Sequence, residues 1–334
     1  MGDIKAVSAS LTDSTVKAAL EAIESDMATL PEKIEMLIEM AAGLQSKPRS
    51  PQQIEDAIFL YCRAIELCPA EHPLLRARGL TGMGTALRIM PAEGPEFLLE
   101  AKAAYDAALP ILQEHAAPEE IAETQMNLGV VIQALVPFHK ATLKNAIQAY
   151  QRAARVFNGQ NYPQEFAIIQ NNIAIAYLSL PLAAEGEGMR QAMAVQSFEE
   201  ALKWVTLIDY PSEYAMLNNN LANALQYLPT VHPIENNLKA LAAYNEALKV
   251  RTAQDTPIEY ANTISNKANV LFNLPDDIEY PAKGNLKNLM KAKTYYQEAY
   301  AMFREYEQWE QAEIVKQAMQ EVEKELQIQL TINN

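Results

Sequence analysis

Two interleaved series of prolines run through most of the chain and leave it little freedom in what it can fold into. Pro31, Pro73, Pro118, Pro163, Pro211 and Pro257 follow one another at intervals of 42, 45, 45, 48 and 46 residues. A second series, Pro48, Pro91, Pro137, Pro181, Pro229 and Pro275, trails the first by 17 to 19 residues. Proline is tolerated in the first turn of a helix and stops a helix elsewhere, so the double series predicts about six helix–turn–helix units. A fixed period of this length is the signature of a solenoid.

The residues between the prolines keep the same register. Nine residues after the opening proline stand Gly82, Asn127, Asn172, Asn220 and Asn266. Two further on are Gly84, Gly129, Ala174, Ala222 and Ala268, and three beyond those Leu87, Ile132, Tyr177, Leu225 and Leu271. Small residues followed a turn later by large ones suit a closely crossed helix pair. The second helix of each unit carries Ala-x3-aromatic-x2-Ala, as Ala57, Tyr61 and Ala64; Ala101, Tyr105 and Ala108; Ala146, Tyr150 and Ala153; Ala194, Phe198 and Ala201; Ala240, Tyr244 and Ala247; and Ala292, Tyr296 and Ala299. One spacing in every unit fits packing better than chemistry, so these rings are expected in the core. The unit from Glu32 to Leu44 matches loosely, as terminal repeats do.

At 334 residues, a one-dimensional stack is expected rather than one compact core. The 49% hydrophobic composition with only 11 glycines reads as ordered and helical, and no segment has the period of a strand. A net charge of −15 repels phosphate backbones and anionic membrane surfaces, which argues against nucleic acid and membrane as partners. Cys62 and Cys68, six residues apart on one expected helix, fall on different faces and read as buried or half-buried thiols of a reducing compartment. The chain shows neither a signal segment nor an apolar run long enough to span a bilayer, and a cytoplasmic location is expected.

Residues 1–30 are expected to hold a tail and a capping helix from Leu11 to Leu30, with Thr12, Asp13 or Ser14 as its N-cap. Residues 31–305 form the repeat array, with units starting near 31, 73, 118, 163, 211 and 257. In 306–334, Trp309, Ala312, Val315, Met319, Val322, Leu326 and Leu330 lie along one stripe of a helix from Glu307 to Leu330, expected to be a C-terminal cap. Its rival is a coiled-coil seam through 307–330, so that the chain is a monomer or a homodimer.

These units resemble tetratricopeptide repeats, whose first helix carries a large, a small and a tyrosine-like residue and whose second carries Ala, aromatic, Ala. In the unit ending at Pro69 the closing proline falls eight residues after Tyr61. The period is about ten residues longer than the family's usual one, and Asn237-Leu238, Tyr244 and Ala247-Leu248 are similar to the long units of kinesin-light-chain-like and bacterial CHAT-associated arrays. The resemblance implies an all-α, right-handed superhelix of about six hairpins whose first helices line a concave groove. It places Asn127, Asn172, Asn220 and Asn266 on that groove. Asn171 and Asn219 lie one before this register, Asn223 and Asn269 three after it, and Asn262 one turn earlier, like the asparagine ladder by which some members hold a peptide main chain. A carboxamide has two donors and two acceptor lone pairs, which suits an extended chain whatever its side chains.

Arg78, Arg88, Gln133, Gln226, Tyr177, Tyr227 and Asn273 would extend the groove. The alternative for the asparagines is structural, fixing the stacking of one repeat on the next. The family's two-carboxylate clamp needs lysines beside the asparagine; Lys267 stands at the wrong place for it. His72, His115, His139 and His232 lack metal-ligand spacing, and Glu119-Glu120, Glu199-Glu200 and Asp276-Asp277 read as solvated helix starts and faces. With no catalytic motif, no cofactor and no metal expected, the sequence points to an interaction scaffold, adaptor or assembly chaperone. It would bind a client peptide or protein of basic character; the alternative is a ligand- or peptide-responsive sensor that switches a partner.

Overall fold

A computed structural model describes residues 28–180, 187–228 and 233–332, together with Val16. The chain divides into two compact units, Met1–Phe157 and Asn158–Asn334. The first contains three helical hairpins: α1 (Leu30–Ser46) with α2 (Pro51–Leu67), α3 (Pro73–Arg88) with α4 (Glu96–His115), and α5 (Pro118–Leu135) with α6 (Leu143–Ala153). The second contains three more: α7 (Pro163–Leu178) with α8 (Glu187–Ala201), α9 (Pro211–Tyr227) with α10 (Pro233–Ala247), and α11 (Pro257–Asn273) with α12 (Leu286–Glu305). It closes with α13 (Trp309–Ile332). Among the described residues the protein is all-α, with no strand.

Proline sets the helix starts. It occupies the first turn of α3, α5, α7, α9 and α11, where its missing N–H has no intrahelical partner to lose. Pro48, Pro91, Pro137 and Pro275 follow the ends of α1, α3, α5 and α11, while Pro181 and Pro229 lie outside the described residues. So do His232 and the expected capping helix at 11–30, apart from Val16 and the residues from 28 on. Val16 is buried with Ile34, Leu37 and Ala41. Leu30 belongs to α1, whose N-terminus is held by the Thr29 N–H donating to the Glu32 carboxylate at 2.7 Å.

The repeated aromatic is the centre of each hairpin. Tyr61, Tyr105, Tyr150, Phe198, Tyr244 and Tyr296 are all at most 2% exposed, and the alanines flanking them are buried as completely. Close approach explains the small residues opposite. A Cβ on Gly129 would lie 2.5 Å from the Tyr150 ring, and one on Gly84 2.9 Å from Tyr105, so in these two hairpins the second-helix ring lies directly on the first-helix backbone. Within each unit successive first helices also touch, α1 to α3 to α5 and α7 to α9 to α11.

Two turns use a left-handed residue other than glycine. Leaving α5, His139 has φ 56°, and the Lys140 N–H donates to the Leu135 carbonyl at 3.2 Å. Leaving α12, Glu307 has φ 57°, and the Gln308 N–H donates to the Phe303 carbonyl at 2.7 Å. Both are helix-terminating turns that satisfy a carbonyl the helix leaves open. Beyond the second turn, α13 buries Ala312, Val315, Val322 and Leu326 against residues of α11 and α12, with Met319 partly buried beside them. The stripe that could have formed a dimer seam is therefore largely covered within the chain. Trp309, 57% exposed at its start, lies under the Arg304 guanidinium. Cys62 and Cys68 are free thiols; burial pushes the Cys62 thiol up to about 11.

Candidate binding face of the first helices

The asparagine row falls on first helices that lie side by side, and in the second unit its members bond to one another. Asn219 Nδ2 donates to Asn220 Oδ1 at 3.1 Å, Asn220 Nδ2 to Asn171 Oδ1 at 2.8 Å, and Asn171 Nδ2 to Asn172 Oδ1 at 3.4 Å. The Thr263 hydroxyl stands 3.1 Å from Asn219 Oδ1 and 2.7 Å from the Glu259 carbonyl, so its single proton can serve either. The Arg251 guanidinium in turn donates to the Thr263 oxygen at 2.9 Å. One polar relay thus links α7, α9 and α11.

Burial sorts the row. Asn171 and Asn219 are buried, at 6% and 7% exposure, whereas Asn127, Asn172, Asn220, Asn223, Asn262, Asn266 and Asn269 are half-buried. Leu221 and Ala222, next in the chain, are buried in the hairpin core. Asn223 and Asn269 accept the phenolic protons of Tyr244 and Tyr296, and Gln226 donates to the Tyr244 oxygen. Burial raises the pKa of both phenols, which remain neutral donors.

The residues expected to extend the face are mostly engaged. Arg78 on α3 makes a two-pronged bond to Glu120 on α5, at 2.9 and 2.8 Å, and this bond holds the Glu120 carboxyl below the usual carboxylate range. Gln133 accepts the Tyr150 phenolic proton at 3.0 Å, Asn273 donates to the Asn269 carbonyl at 2.9 Å, and Tyr177 packs against the core. Tyr227 is 69% exposed. Of the acid pairs, Glu120 is in this ion pair, and Asp276 caps α12 by accepting from the Lys287 and Asn288 N–H groups, both at 2.8 Å. No metal-binding cluster occurs among the described residues, and none of their helices is long and apolar enough to cross a membrane.

Sequence reasoning passed over two regularities that the structure explains. Wherever the core aromatic is a tyrosine with a first-helix partner, that partner stands 12 or 15 residues after the opening proline, as Thr85, Gln133, Asn223, Gln226 and Asn269; the Phe198 hairpin has Ile175 and Leu178 there. The loops before α7, α9 and α11 each place Asn158, Thr206 or Thr252 five residues before the proline, with its side chain accepting backbone N–H groups of the turn.

No protein-family model matches the chain, and no curated protein matches its sequence. Among solved structures, the TPR2AB domain of yeast Sti1, in its pHSP90 complex, is 17% identical over 85% of this chain and 99% of that one, with a TM-score of 0.28. At that degree of superposition the match carries no functional argument. The hairpin geometry of this chain stands on its own packing.

Proposed function

We propose that the protein is a non-catalytic interaction scaffold, an adaptor or assembly chaperone, that holds an extended or helical segment of a client protein against its first-helix face. The observation that carries this reading is the half-buried state of Asn172, Asn220, Asn262 and Asn266 on the first helices of the second unit, and of Asn127 on those of the first. Even a carboxamide inside the relay, such as Asn220, keeps one N–H and one lone pair beyond the bonds described, enough to meet a peptide unit. Asn171 and Asn219 would orient these groups from below, and Asn223 and Asn269 would fix them to the tyrosine core. A few such bonds, at about 0.5–1.5 kcal/mol each, give useful but not tight binding. The net charge of −15 adds long-range attraction for a client of basic character, and the two free thiols suit a reducing, cytoplasmic setting.

The test must spare the relay. Asn127→Ala combined with Asn266→Ala should leave helicity and melting nearly unchanged and weaken binding of a client segment. Retained affinity in the double variant, with the fold intact, would remove Asn127 and Asn266 from the binding face.

A further inference from the structure

At the C-terminal ends of α9 and α11, in unit 2, the open side chains share one chemistry. Asn223 and Asn269 stand twelve residues after their opening prolines, and each accepts the proton of a core phenol. One turn on, sixteen residues after the prolines, Tyr227 and Asn273 hold the same register on these two touching helices. Tyr227 is the most exposed aromatic ring of the described residues. The other two rings that are more than half exposed, Tyr280 and Trp309, each lie under a cation of the chain, Lys283 at 4.0 Å and Arg304 at 5.2 Å. No cation of the described residues lies over Tyr227.

The amides around that ring turn donors inward and acceptors outward. Gln226 gives an Nε2 proton to the Tyr244 oxygen, and Asn273 gives an Nδ2 proton to the Asn269 carbonyl at 2.9 Å. Among the described residues no donor reaches the carboxamide oxygen of either, and neither oxygen is enclosed. Negative charge is close by. Glu321 of α13 precedes Val322, which is buried in the same core as Tyr296. Burial raises the Tyr296 phenol, and Glu321 and Tyr227 both add to the rise, so this phenol lies within electrostatic reach of the carboxylate and of the exposed ring. Glu313 and Glu323 of α13 have lysine partners, Lys316 and Lys293, whereas Glu321 is exposed and joins no ion pair among the described residues.

We propose that Tyr227, with the carboxamide oxygens of Gln226 and Asn273 and the nearby charge of Glu321, is a guanidinium site for an arginine side chain of the segment held on this face. A guanidinium lies flat on an aromatic ring, brings several donors to oxygens that lack one, and supplies the positive charge that Glu321 is without. An ammonium fits less well, being a point charge with no planar face. The site rests on the reading of the first-helix face as the binding face, and narrows a basic client to arginine at one position. It does not use the asparagines of the relay.

The ring resonances of Tyr227 in the full chain, assigned by their loss in Tyr227→Leu, report on the site directly. Three terminally capped hexapeptides serve as probes, with leucine alternating with arginine, with lysine or with neutral citrulline. The arginine peptide should move the Tyr227 resonances and bind about threefold more weakly to Tyr227→Leu and to Glu321→Gln, while Glu71→Gln, an equal loss of charge at an exposed acid of unit 1, leaves its affinity unchanged. The citrulline peptide should leave the resonances in place. Equal shifts and affinity with the lysine peptide would overturn the assignment to a guanidinium, and equal weakening by Glu71→Gln would reduce the effect of Glu321 to net charge and overturn its part in the site. Tyr227 resonances unmoved by the arginine peptide would overturn the site itself. If the side-chain amides of Asn220 or Asn266 still shift in that case, the first-helix face survives as a binding face without it.

Discussion

The two units use one hairpin plan and finish its first-helix face in different ways. In the first, the small position against the core tyrosine is glycine, at Gly84 and Gly129, and the polar contact between adjacent first helices is a charged one, Arg78 to Glu120. In the second, that position is Ala174, Ala222 or Ala268, and neutral carboxamides link α7 to α9 while Asn219 and Thr263 link α9 to α11. A chain of amides carries no net charge and satisfies itself, so it fixes how one hairpin sits on the next without demanding a ligand. The first unit carries its charge between hairpins in an ion pair that is screened by solvent. One repeat can therefore be joined to the next by a charged pair in one place and by neutral amides in another.

The glycine–alanine difference gives the largest expected effect. Gly129→Ala puts a methyl 2.5 Å from a fully buried ring, and should lower stability by about 1–3 kcal/mol in thermal or denaturant unfolding despite the gain in helix propensity. A variant as stable as the parent would mean that Tyr150 can move, and that the glycines of unit 1 are not required by packing.

Arg251 sharpens the comparison from the other side. It stands seven residues after Tyr244, where the other hairpins carry the buried Cys68, Leu112, Phe157, Val205 and Phe303. Burial lowers its pKa, and its described bond goes to a hydroxyl that retains other partners. Arg251→Leu should leave melting unchanged or raise stability by about 1 kcal/mol, as replacing a buried charge by a fitting apolar residue often does. A clear loss would show that the cation polarises and anchors the relay.

The smallest effect concerns the Arg78–Glu120 pair, which is partly exposed. The folded pKa of Glu120 is depressed, so the pair's contribution is present above the unfolded carboxylate value and disappears as pH falls through the folded value. Glu120→Gln should cost about 0–1 kcal/mol at neutral pH and converge with the parent in acid, followed by urea unfolding across pH 2–7. A difference that persists at the acid end would assign the role of Glu120 to hydrogen bonding alone.

The hairpins were legible in the sequence because each depends on signals local to it: a proline at a helix start, alanines around an aromatic, a small residue facing the ring. The relay was not legible, since Asn220 and Asn171 lie 49 residues apart and meet only through the rotation of α9 on α7. For the same reason Arg78 read as open when Glu120, 42 residues on, already holds it. The α13 stripe was read correctly as amphipathic, but only the packing of Val315, Val322 and Leu326 shows what covers it.

The central claim, that the asparagines of the second unit form a bonded stack across hairpins, is tested most directly by a double-mutant cycle on Asn171 and Asn220, with Ala at each. The two carboxamides meet at 2.8 Å, and the account predicts a coupling of about 0.5–3 kcal/mol, each single substitution leaving a buried or half-buried polar group unpaired. Additivity within about 0.3 kcal/mol would contradict it and return both side chains to solvent or to a ligand.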